Sequence, residues 1–494
     1  MTHVPILLII VPLAAPPLLF FASRVSRHAV IPVAGLIGLA TAVCAAAAVT
    51  TALRGNILVY QVGGWPADLG IVLAVDALTA VMLVLGQLVF LPALLFPGQG
   101  ESVIRRCTLM FLLLAGVHGM VLTADLFNLY VFLEITAIVS YALLTFGTNE
   151  SRLEGGFKYL LMNSLGSLCI LWAIALTYSA TGALNMAYLA RVFPEAPQAL
   201  RNTILALLVS GFAIKFGAVP FHGWKPDAYG AATGPVAAVS SGLVAKVPLY
   251  ALMRILALLY GFDTLAGTPV MVLLAISGTA SVLVGHTMAL RQPRLNRLLA
   301  FSSVAHIGYI MIGIAAATAM GLQGALFHMV NHGVIKAGMF LVSAAIALHL
   351  HTDEIRRMVE ISRPLFFPAL PFALLSLGMI GIPPVAGFLS KWVIVLGGSA
   401  AGYVVPAASV ALGGFIALWY YQRVTLTFCT LVHDIPFPRV FFTWPERLPS
   451  ILLTAVSVVL LLAAPWVHPV LASAADALLE TGPYVTAVMM GVVP

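Results

Sequence analysis

Long apolar runs recur along the whole chain and are separated by short polar breaks. Each run is about 20 residues long, the length that crosses the hydrocarbon core of a bilayer as a helix. The alternating segments of about ten residues that mark a transmembrane β-barrel are not visible. The pattern predicts an all-α polytopic membrane protein with about fourteen transmembrane helices, numbered here as spans 1 to 14. We expect them near residues 4–22, 29–52, 70–96, 107–123, 126–147, 157–181, 202–223, 231–258, 269–290, 298–316, 320–348, 364–398, 402–428 and 449–472.

The composition agrees with this pattern. Of the 494 residues, 61% are hydrophobic and only 8% are charged, whereas a soluble protein carries roughly 25% charged residues. The first apolar run, residues 5–21, lacks both a basic region before it and a small-residue cleavage site after it. We therefore expect this run to be span 1 and not a removed signal peptide.

Two spans contain helix breakers close to a lysine. Lys215 lies five residues before Pro220 in span 7, and Lys391 lies seven residues after Pro384 in span 12. Broken spans at corresponding places in two halves mark the ion path of transporters that are built from inverted repeats. Spans 7 and 12 are five apart, as two inverted five-helix repeats (spans 4–8 and spans 9–13) would require. The alternative, that the prolines only kink their helices, stays open at this point.

The repeats predict a division of the chain into four parts. Spans 1–3 occupy residues 1–106, the first repeat residues 107–258 and the second repeat residues 269–430. A cytoplasmic loop and span 14 take up residues 431–494.

Basic residues are distributed unevenly between the loops. Sixteen of the 24 lysines and arginines lie in loops that follow odd-numbered spans, and only Arg54, Arg191 and Arg201 lie in loops that follow even-numbered spans. Because basic loops stay in the cytoplasm, we expect the larger set on the cytoplasmic side and both termini on the outer side. The larger set is Arg24, Arg27, Arg105, Arg106, Arg152, Lys158, Lys225, Arg291, Arg294, Arg297, Arg356, Arg357, Arg363, Arg423, Arg439 and Arg447.

The remaining five basic residues lie inside spans: Lys215, Lys246, Arg254, Lys336 and Lys391. Each costs about 2.5–3.5 kcal/mol at the bilayer centre, so most of them must reach the interface, form a pair or face water. Arg254 is four residues from the end of its span, and we expect its side chain to snorkel to the interface. Glu134 is the one carboxylate well inside a span, while Asp76 is expected at the interface.

Span 11 carries a stripe of titratable side chains. His328, His332 and Lys336 are spaced by four residues and so share one face of the helix. His306 in span 10 is a candidate to join them. A histidine titrates near pH 6.5 and a buried amine can also exchange its proton near neutral pH, so the stripe indicates proton transfer. A sodium site would call for oxygen ligands, and this stripe offers mostly nitrogen.

Other titratable residues receive simpler interpretations. His118 and His286 have no visible partner, and we expect them to pack in the core. His222, near the cytoplasmic end of span 7, is a candidate for proton uptake from water. Asp227 and the remaining acidic residues of the basic loops are expected to be solvated charges.

Nothing in the sequence indicates a cofactor. The four cysteines are scattered singly, without the Cys/His spacing of an iron–sulfur or zinc site. No GxGxxG motif, P-loop or soluble domain is present that would hold a nucleotide or a flavin. We therefore expect no cofactor, no metal, no catalytic residue and no nucleic-acid partner.

Six ordered motifs carry a resemblance to a known family. They are FLEITAIVSYALL, AIKFGAVPFHGWKPDA, GPVAAVSS followed by AKV, SSVAHIGYI, NHGVIKAGMFL and GIPPVAGFLSKW. Over about residues 110–400 the chain resembles the antiporter-type membrane subunits of complex I and its relatives. The resemblance implies fourteen spans, two inverted five-span repeats and broken helices at spans 7 and 12. It also implies proton transfer through Glu134, Lys215, Lys246, His306, His328, His332, Lys336 and Lys391.

Two features indicate which branch of this family the chain resembles. Lys391 differs from the middle subunit of complex I, which carries a glutamate there, and the chain lacks the long C-terminal extension of the distal subunit. The segment GGWPADLGIVLAVDALTAVMLVL resembles the D-type component of Mrp-type multisubunit cation/proton antiporters. This branch implies a transporter subunit in a bacterial or archaeal cytoplasmic membrane. Its partners would be proteins like Mrp A, B, C, E, F and G, lipid, H⁺ and Na⁺.

Two alternatives stay open. Related subunits serve redox-driven complexes such as membrane-bound hydrogenase or NADH:quinone oxidoreductase, where the chain would be the proton-translocating subunit of an enzyme. A purely structural membrane scaffold is the other. Since the sequence offers no all-oxygen cation cage, the sodium path is expected in a partner subunit.

Overall fold

The computed structural model describes residues 3–98, 102–145, 150–361, 365–429 and 441–491. Within these residues, thirteen helices are long and apolar enough to cross a membrane. A fourteenth crossing, span 12, consists of the two shorter helices Phe366–Ile380 and Gly387–Ala400. The predicted all-α polytopic membrane fold is confirmed. Two of the basic loop residues, Arg363 and Arg439, lie outside the described residues.

The thirteen long helices have the following bounds within the described residues. Spans 1 to 7 are Val4–Val25, Val30–Leu53, Ala77–Leu95, Val103–Leu122, Leu126–Leu144, Glu150–Thr181 and Gln198–Phe216. Spans 8 to 11, 13 and 14 are Gly234–Leu259, Pro269–Leu290, Leu295–Ala315, Ala319–Leu350, Val404–Cys429 and Trp444–Leu462. Span 1 consists of two helical segments, Val4–Leu13 and Ala15–Val25, with Ala14 between them.

The two predicted helix breaks are present and are built alike. The first half of span 7 ends at Gly217, with φ +64°, and the first half of span 12 ends at Gly381, with φ +94°. Glycine adopts this left-handed conformation without the penalty that a Cβ would bring. After each break the chain passes through a proline, Pro220 or Pro384, and resumes a helix at Trp224 or Gly387.

Span 8 is also interrupted, contrary to the continuous helix that we expected. A π-helical turn, Ser240–Val244, separates Gly234–Val239 from Val247–Leu259. Pro248 lies in the first turn of Val247–Leu259. Because proline has no backbone N–H, it cannot continue the hydrogen bonding of the preceding turn, and a new helix begins there. Lys246 lies between the π turn and this restart.

Loops that follow odd-numbered spans meet at one end of the bundle, called here the basic end. Asp227 pairs there with Lys158 at 2.7 Å and with Arg297 at 3.0 Å. These residues and their neighbours line an open cavity of about 780 Å³. The expectation that Asp227 is a solvated charge was wrong, because two cations from other loops hold it.

Loops that follow even-numbered spans meet at the opposite end. The antiparallel strands Leu58–Gln61 and Val72–Val75 pair there. Short helices, Met186–Val192 and Phe262–Leu265, complete this end. Single bridges join Leu73 to Thr123 and Asp125 to Asn185, which ties the loops after spans 2, 4 and 6 together.

The C-terminal part differs from the predicted single span over residues 449–472. Span 14 ends at Leu462, and the chain continues as the helices Ala464–Leu479 and Gly482–Met490. Pro465 favours the new start because its fixed φ suits the first turn of a helix. The backbone carbonyl of His468 accepts a hydrogen bond from Gln323 in the first turn of span 11, so this helix lies at the opposite end of the bundle.

The centre of the bundle is formed by spans 8, 10 and 11. In the apolar stretch of each span, all residues of span 10 and 94% of those of span 8 are buried. In spans 2 and 14 only 33% of these residues are buried. The peripheral spans therefore shield the three central spans from lipid. Most residues with predicted proton-transfer roles lie on these central spans.

Candidate functional site

An ion pair between Glu134 and Lys215 forms the first part of the candidate site. The Lys215 Nζ lies 3.3 Å from the Glu134 Oε1. Ser167 donates a second hydrogen bond to the same carboxylate oxygen. The Lys215 side chain is 3% exposed and that of Glu134 is 31% exposed. The pair therefore extends from the interior of the bundle to its surface at span 5. Lys215 occupies the last turn before the break of span 7.

A small cavity leads from this pair towards span 8. Its volume is about 20 Å³, which is enough for one water molecule. Its lining includes Lys215, Asn163, Tyr229 and Ala245, the residue that precedes Lys246. The lining is mostly apolar, and it extends from Lys215 to the part of span 8 next to Lys246.

Lys246 is fully buried at the irregular part of span 8. Its ammonium donates a hydrogen bond to the backbone carbonyl of Ser241, inside the π turn. A π turn shifts the hydrogen-bonding register of the backbone, and such turns are frequent at functional sites. The local geometry thus provides an acceptor for this lysine without a carboxylate.

Lys225 is a buried member of the site that sequence analysis assigned to a loop. It is 0% exposed, and its ammonium donates to the backbone carbonyl of Phe216, which the break of span 7 leaves free. Lys225 and Lys246 are close enough to repel each other electrostatically. Its neighbours Pro226 and Asp227 line the cavity at the basic end. The proximity of the helix break to WKPD was the signal that could have identified it.

Three histidines form a stack between spans 10 and 11. The Nδ1 of His306 lies 2.9 Å from the Nε2 of His328, whose Nδ1 lies 3.0 Å from the hydroxyl of Ser390. The ring of His332 stacks on that of His306 at 4.9 Å. Among the described residues, neither ring nitrogen of His332 has a hydrogen-bond partner. The structure therefore brings the predicted histidines together, and it links two of them to span 12 through Ser390.

Lys336 is fully buried one turn further along span 11. Its ammonium donates to the Leu299 carbonyl at 2.8 Å and to the hydroxyls of Ser302 and Tyr421. These partners come from spans 10 and 13. Lys336 thus lies at the junction of three spans in the second half of the bundle.

Lys391 lies against the break of span 12. Its ammonium donates to the carbonyls of Met379 at 2.5 Å and Ile380 at 3.0 Å, which end the first half of the span. It also lies 5.0 Å from the centre of the Tyr309 ring. The break thus supplies the acceptors for this lysine, as the break of span 7 does for Lys225.

Backbone carbonyls are the shared partners of the buried lysines. Within the described residues, no carboxylate pairs with Lys225, Lys246, Lys336 or Lys391, which are all at most 6% exposed. A carbonyl dipole stabilises an ammonium but carries no net charge. Loss of a proton from such a lysine therefore leaves no unpaired anion behind, so these amines can both gain and lose a proton within the bundle.

Arg254 behaves differently from the snorkelling residue that we expected. It is 2% exposed, and its guanidinium forms a two-pronged pair with Asp76 at 2.7 and 2.6 Å. Asp76 is itself buried and caps span 3 by accepting a hydrogen bond from the Thr79 amide. The snorkelling prediction for Arg254 was wrong, because the pair with Asp76 holds its guanidinium inside the protein. Asp76 is buried at the start of span 3, and its interfacial position stays a prediction.

The other histidines also have partners that the sequence did not reveal. His286 contacts the hydroxyls of Tyr309 at 2.7 Å and Tyr420 at 2.9 Å. His118 contacts the carbonyl of Leu8 at 2.7 Å. His222 is partly buried in the break of span 7, and its role in proton uptake stays a prediction.

Broken helices around buried titratable side chains are the architecture of antiporter-like membrane subunits. Residues 123–417 match the family described as "NADH:quinone oxidoreductase/Mrp antiporter, TM". The chain is 36% identical over 439 residues to the N component of the NADH-quinone oxidoreductase of Desulforudis audaxviator, with 85% of each chain covered. It is 30% identical over 443 residues to the D component of the Na(+)/H(+) antiporter of Alkalihalophilus pseudofirmus, with 88% and 89% covered. The chain therefore belongs to the NADH:quinone oxidoreductase/Mrp antiporter transmembrane family, as its motifs predict.

Solved structures agree on the fold. A chain of the membrane-bound sulfane sulfur reductase, an archaeal respiratory membrane complex, superimposes with a TM-score of 0.92 at 28% identity, covering 98% of this chain and 100% of that chain. A chain of the Mrp complex from Dietzia sp. DQ12-45-1b superimposes with a TM-score of 0.89 at 24% identity, with 99% of each chain covered. The protein is thus an antiporter-like, multi-pass membrane subunit.

Proposed function

We propose that this protein is the proton-translocating subunit of a multisubunit monovalent cation/proton antiporter, with Na⁺ as the cation. The proton passes through Glu134 and Lys215 in the first half, then Lys246, and then His306, His328, His332 and Lys336 towards Lys391. The observation that carries the proposal is the set of buried lysines held by backbone carbonyls and hydroxyls, without a carboxylate partner among the described residues. A structural lysine in such a setting would be expected to have a carboxylate partner.

The Glu134–Lys215 pair acts as the switch of this mechanism. With the pair closed, the carboxylate keeps the amine of Lys215 protonated. When the pair separates, a desolvated ammonium remains and releases its proton towards Lys246. Carrying one charge across the membrane costs about 2.3 kcal/mol per 100 mV. The loss of one ion pair in a low-dielectric setting is of this size, so no covalent chemistry is needed.

Proton-driven exchange in proteoliposomes tests the proposal. Glu134→Ala and Lys391→Ala should each abolish cation uptake driven by a pH gradient in the reconstituted complex. Lys158→Ala is the matched control, because the Lys158 side chain is 42% exposed and lies at the basic end away from the row. Exchange at the wild-type rate in both Glu134→Ala and Lys391→Ala would refute the proton path.

The cation path is proposed to need partner subunits. Both the Mrp complex and the respiratory complex named above are assemblies of several chains, and the similarity of this chain to their subunits supports a hetero-oligomer. We expect partners like the Mrp A, B, C, E, F and G proteins. Complete cation/proton exchange by this polypeptide alone in liposomes would contradict this part of the proposal.

A redox-driven complex is the second candidate. The 36% identity to the N component of an NADH-quinone oxidoreductase and the 28% identity to a chain of the sulfane sulfur reductase favour it. Purification of the native complex decides between the two candidates. Iron–sulfur proteins that co-purify with the chain would favour the redox-driven complex, and small hydrophobic antiporter proteins without them would favour the antiporter.

A further inference from the structure

His286 in span 9 is placed between two tyrosine hydroxyls. Its Nδ1 lies 2.9 Å from the Tyr420 hydroxyl in span 13, and its Nε2 lies 2.7 Å from the Tyr309 hydroxyl in span 10. The imidazole is 0% exposed, so both contacts are shielded from lipid and from water. A neutral imidazole donates through one nitrogen and accepts through the other, which lets it pass a proton from one hydroxyl to the next.

The first tyrosine leads to Lys336. Tyr420 packs against Tyr421 with ring centres 4.5 Å apart. The Tyr421 hydroxyl donates to Ser302 at 3.0 Å and accepts from the ammonium of Lys336 at 3.3 Å. Hydrogen bonds thus connect the Lys336 amine with Tyr421 and Ser302, and the ring contact of Tyr421 with Tyr420 brings this network next to His286.

The second tyrosine leads to Lys391. The Tyr309 ring lies 5.0 Å from the ammonium of Lys391, and span 13 packs against both side chains. A Cβ added at Gly413 would overlap the Tyr309 hydroxyl and would lie 2.9 Å from the His286 Nε2. Only a glycine therefore allows the hydroxyl and the imidazole to meet at this position. A Cβ at Gly414 would lie 4.0 Å from the Lys391 Nζ, so the same short segment reaches the terminal lysine.

The histidine stack does not supply this connection by itself. His306 and His328 are linked to each other and to Ser390. Within the described part of the chain, no hydrogen bond joins His332 to Lys336. The charged or titratable groups that face His286 are His306, Lys391 and Lys336. The two tyrosine hydroxyls on His286 thus form a hydrogen-bonded segment that lies between the surroundings of the two lysines.

We propose that His286, together with Tyr420 and Tyr309, relays protons from Lys336 to Lys391. This inference deepens the proposed function and rests on it, because it assigns a route between two lysines of the proposed row. The ammonium of Lys336 gives a proton to the Tyr421 hydroxyl, and one proton moves on through Tyr420 to the Nδ1 of His286. The Nε2 of His286 then gives its own proton to Tyr309, whose hydroxyl proton passes to the amine of Lys391.

The proton count of this relay balances. Lys336 ends as a neutral amine, Lys391 ends as an ammonium, and each hydroxyl ends with one proton. His286 ends in the opposite tautomer and returns by rotation of its ring before the next transfer. One water or a small side-chain rotation closes each of the two remaining gaps, from Tyr421 to Tyr420 and from Tyr309 to Lys391.

Single-oxygen deletions test the relay in the reconstituted complex. Tyr420→Phe and Tyr309→Phe remove only a hydroxyl each, and both should slow pH-gradient-driven exchange by about tenfold or more. This effect is smaller than the ~100-fold typical for loss of a positioned proton-transfer group, because the histidine stack remains. Tyr260→Phe is the matched control, since its hydroxyl donates to the Arg201 carbonyl at the opposite end of the bundle. A slowing of less than tenfold in both test variants overturns the relay.

A substitution at His286 separates proton transfer from structural support. His286→Gln keeps a donor and an acceptor for the two tyrosines but does not take up and release a proton, whereas His286→Leu keeps neither. We expect both variants to be slow. Recovery of the wild-type rate in His286→Gln would show that the residue only positions the tyrosines and would overturn the relay. If Lys391→Ala also exchanged normally, the proposed function would fail, whereas slow Lys391→Ala beside normal tyrosine variants would refute the relay alone.

Discussion

At the residue scale, the partner of each buried cation separates two roles. Arg254 has a carboxylate on its guanidinium, and the pair stays charged because an arginine does not release its proton in a protein. Lys336 and Lys391 have carbonyls and hydroxyls, which accept a hydrogen bond from an ammonium and are not left unpaired by a neutral amine. The first arrangement supports structure and the second suits a group that changes its protonation.

The Arg254–Asp76 pair should matter for stability. Arg254→Met and Asp76→Asn each leave one buried charge without its partner, which costs about 3–5 kcal/mol. The double variant removes both charges and should lose much less. Asparagine keeps the cap on Thr79, so the single variant reports the charge alone. Thermal melting of the purified complex measures the differences.

The exposed pair Arg294–Asp353 is the control for this experiment. Its nitrogen–oxygen distance is 2.9 Å, but the arginine side chain is 56% exposed. Arg294→Met should therefore change the stability by only ~0–1 kcal/mol. Single variants of Arg254 and Asp76 that melt like the wild type would show that the buried pair is not needed for stability.

The sequence predicted those site residues that stand out as charged or titratable positions in apolar runs. Glu134, Lys215 and the histidines of span 11 are of this kind. The structure pairs Glu134 with Lys215 and stacks the two histidines on each other. Lys225 and His286 were missed for another reason. Lys225 follows a break that turns it back into the bundle, and the Tyr420 partner of His286 lies 134 positions along the chain. Contacts of this kind depend on tertiary packing, which no local pattern shows.

At the element scale, the breaks of spans 7 and 12 supply the acceptors for two lysines. The sequence predicted both breaks because proline and glycine act locally. The π turn at Ser240–Val244 was not predicted, since no single residue dictates it and it needs the neighbouring spans to stabilise it. Gly242 illustrates this dependence, because a Cβ there would lie 2.9 Å from the Gly333 carbonyl of span 11.

The close approach of the two halves of span 12 should be essential for transport. A Cβ at Gly387 would overlap the carbonyl group of Gly378, so Gly387→Ala must push the halves apart. The carbonyls of Met379 and Ile380 then move away from Lys391. We expect exchange in proteoliposomes to fall by about 100-fold, as displacements of ~1 Å do at a reacting centre.

Gly398→Ala on the same half-helix is the matched control. Its added Cβ would meet side chains at 3.6 Å, which is ordinary van der Waals contact. This variant should keep both its melting temperature and its exchange rate. Wild-type exchange in Gly387→Ala would contradict the role of the helix break.

At the scale of the whole molecule, the proposed proton path follows the buried centre of the bundle. Spans 8, 10 and 11 are enclosed by the other spans, so the proposed proton path among them is shielded from lipid. Glu134 at the surface of span 5 is the exception, and its 31% exposed side chain places the switch where a neighbouring protein of the complex can reach it. The division into two inverted repeats stays a prediction.

The membrane orientation can be tested by labelling. We propose that the basic end faces the cytoplasm, because its loops hold most of the arginines. In a variant with Cys44, Cys107, Cys169 and Cys429 replaced by serine, Trp65→Cys at the opposite end should react with a membrane-impermeant maleimide added to intact cells. The Trp65 side chain is 62% exposed and so is accessible there.

Arg357→Cys is the counterpart at the basic end, where the side chain is 66% exposed. It should react only after the membrane has been permeabilised. The reverse labelling pattern would overturn the proposed orientation.

The central claim is that the buried lysines serve proton transfer and not stability, and Lys336→Met tests it most directly. Methionine has a similar length, and the former partners of Lys336 keep other hydrogen bonds. Tyr421 still donates to Ser302 at 3.0 Å, and Ser303 still donates to the Leu299 carbonyl at 2.9 Å. Removing a buried ammonium that has no carboxylate should leave the stability unchanged or raise it.

The measurement combines the melting temperature and the initial rate of pH-gradient-driven exchange on one preparation of the reconstituted complex. For Lys336→Met we expect a melting temperature at or above that of the wild type and an exchange rate reduced by about 100-fold or more. Lys158→Met, at the exposed basic end, should match the wild type in both. Exchange at the wild-type rate in Lys336→Met would contradict the account.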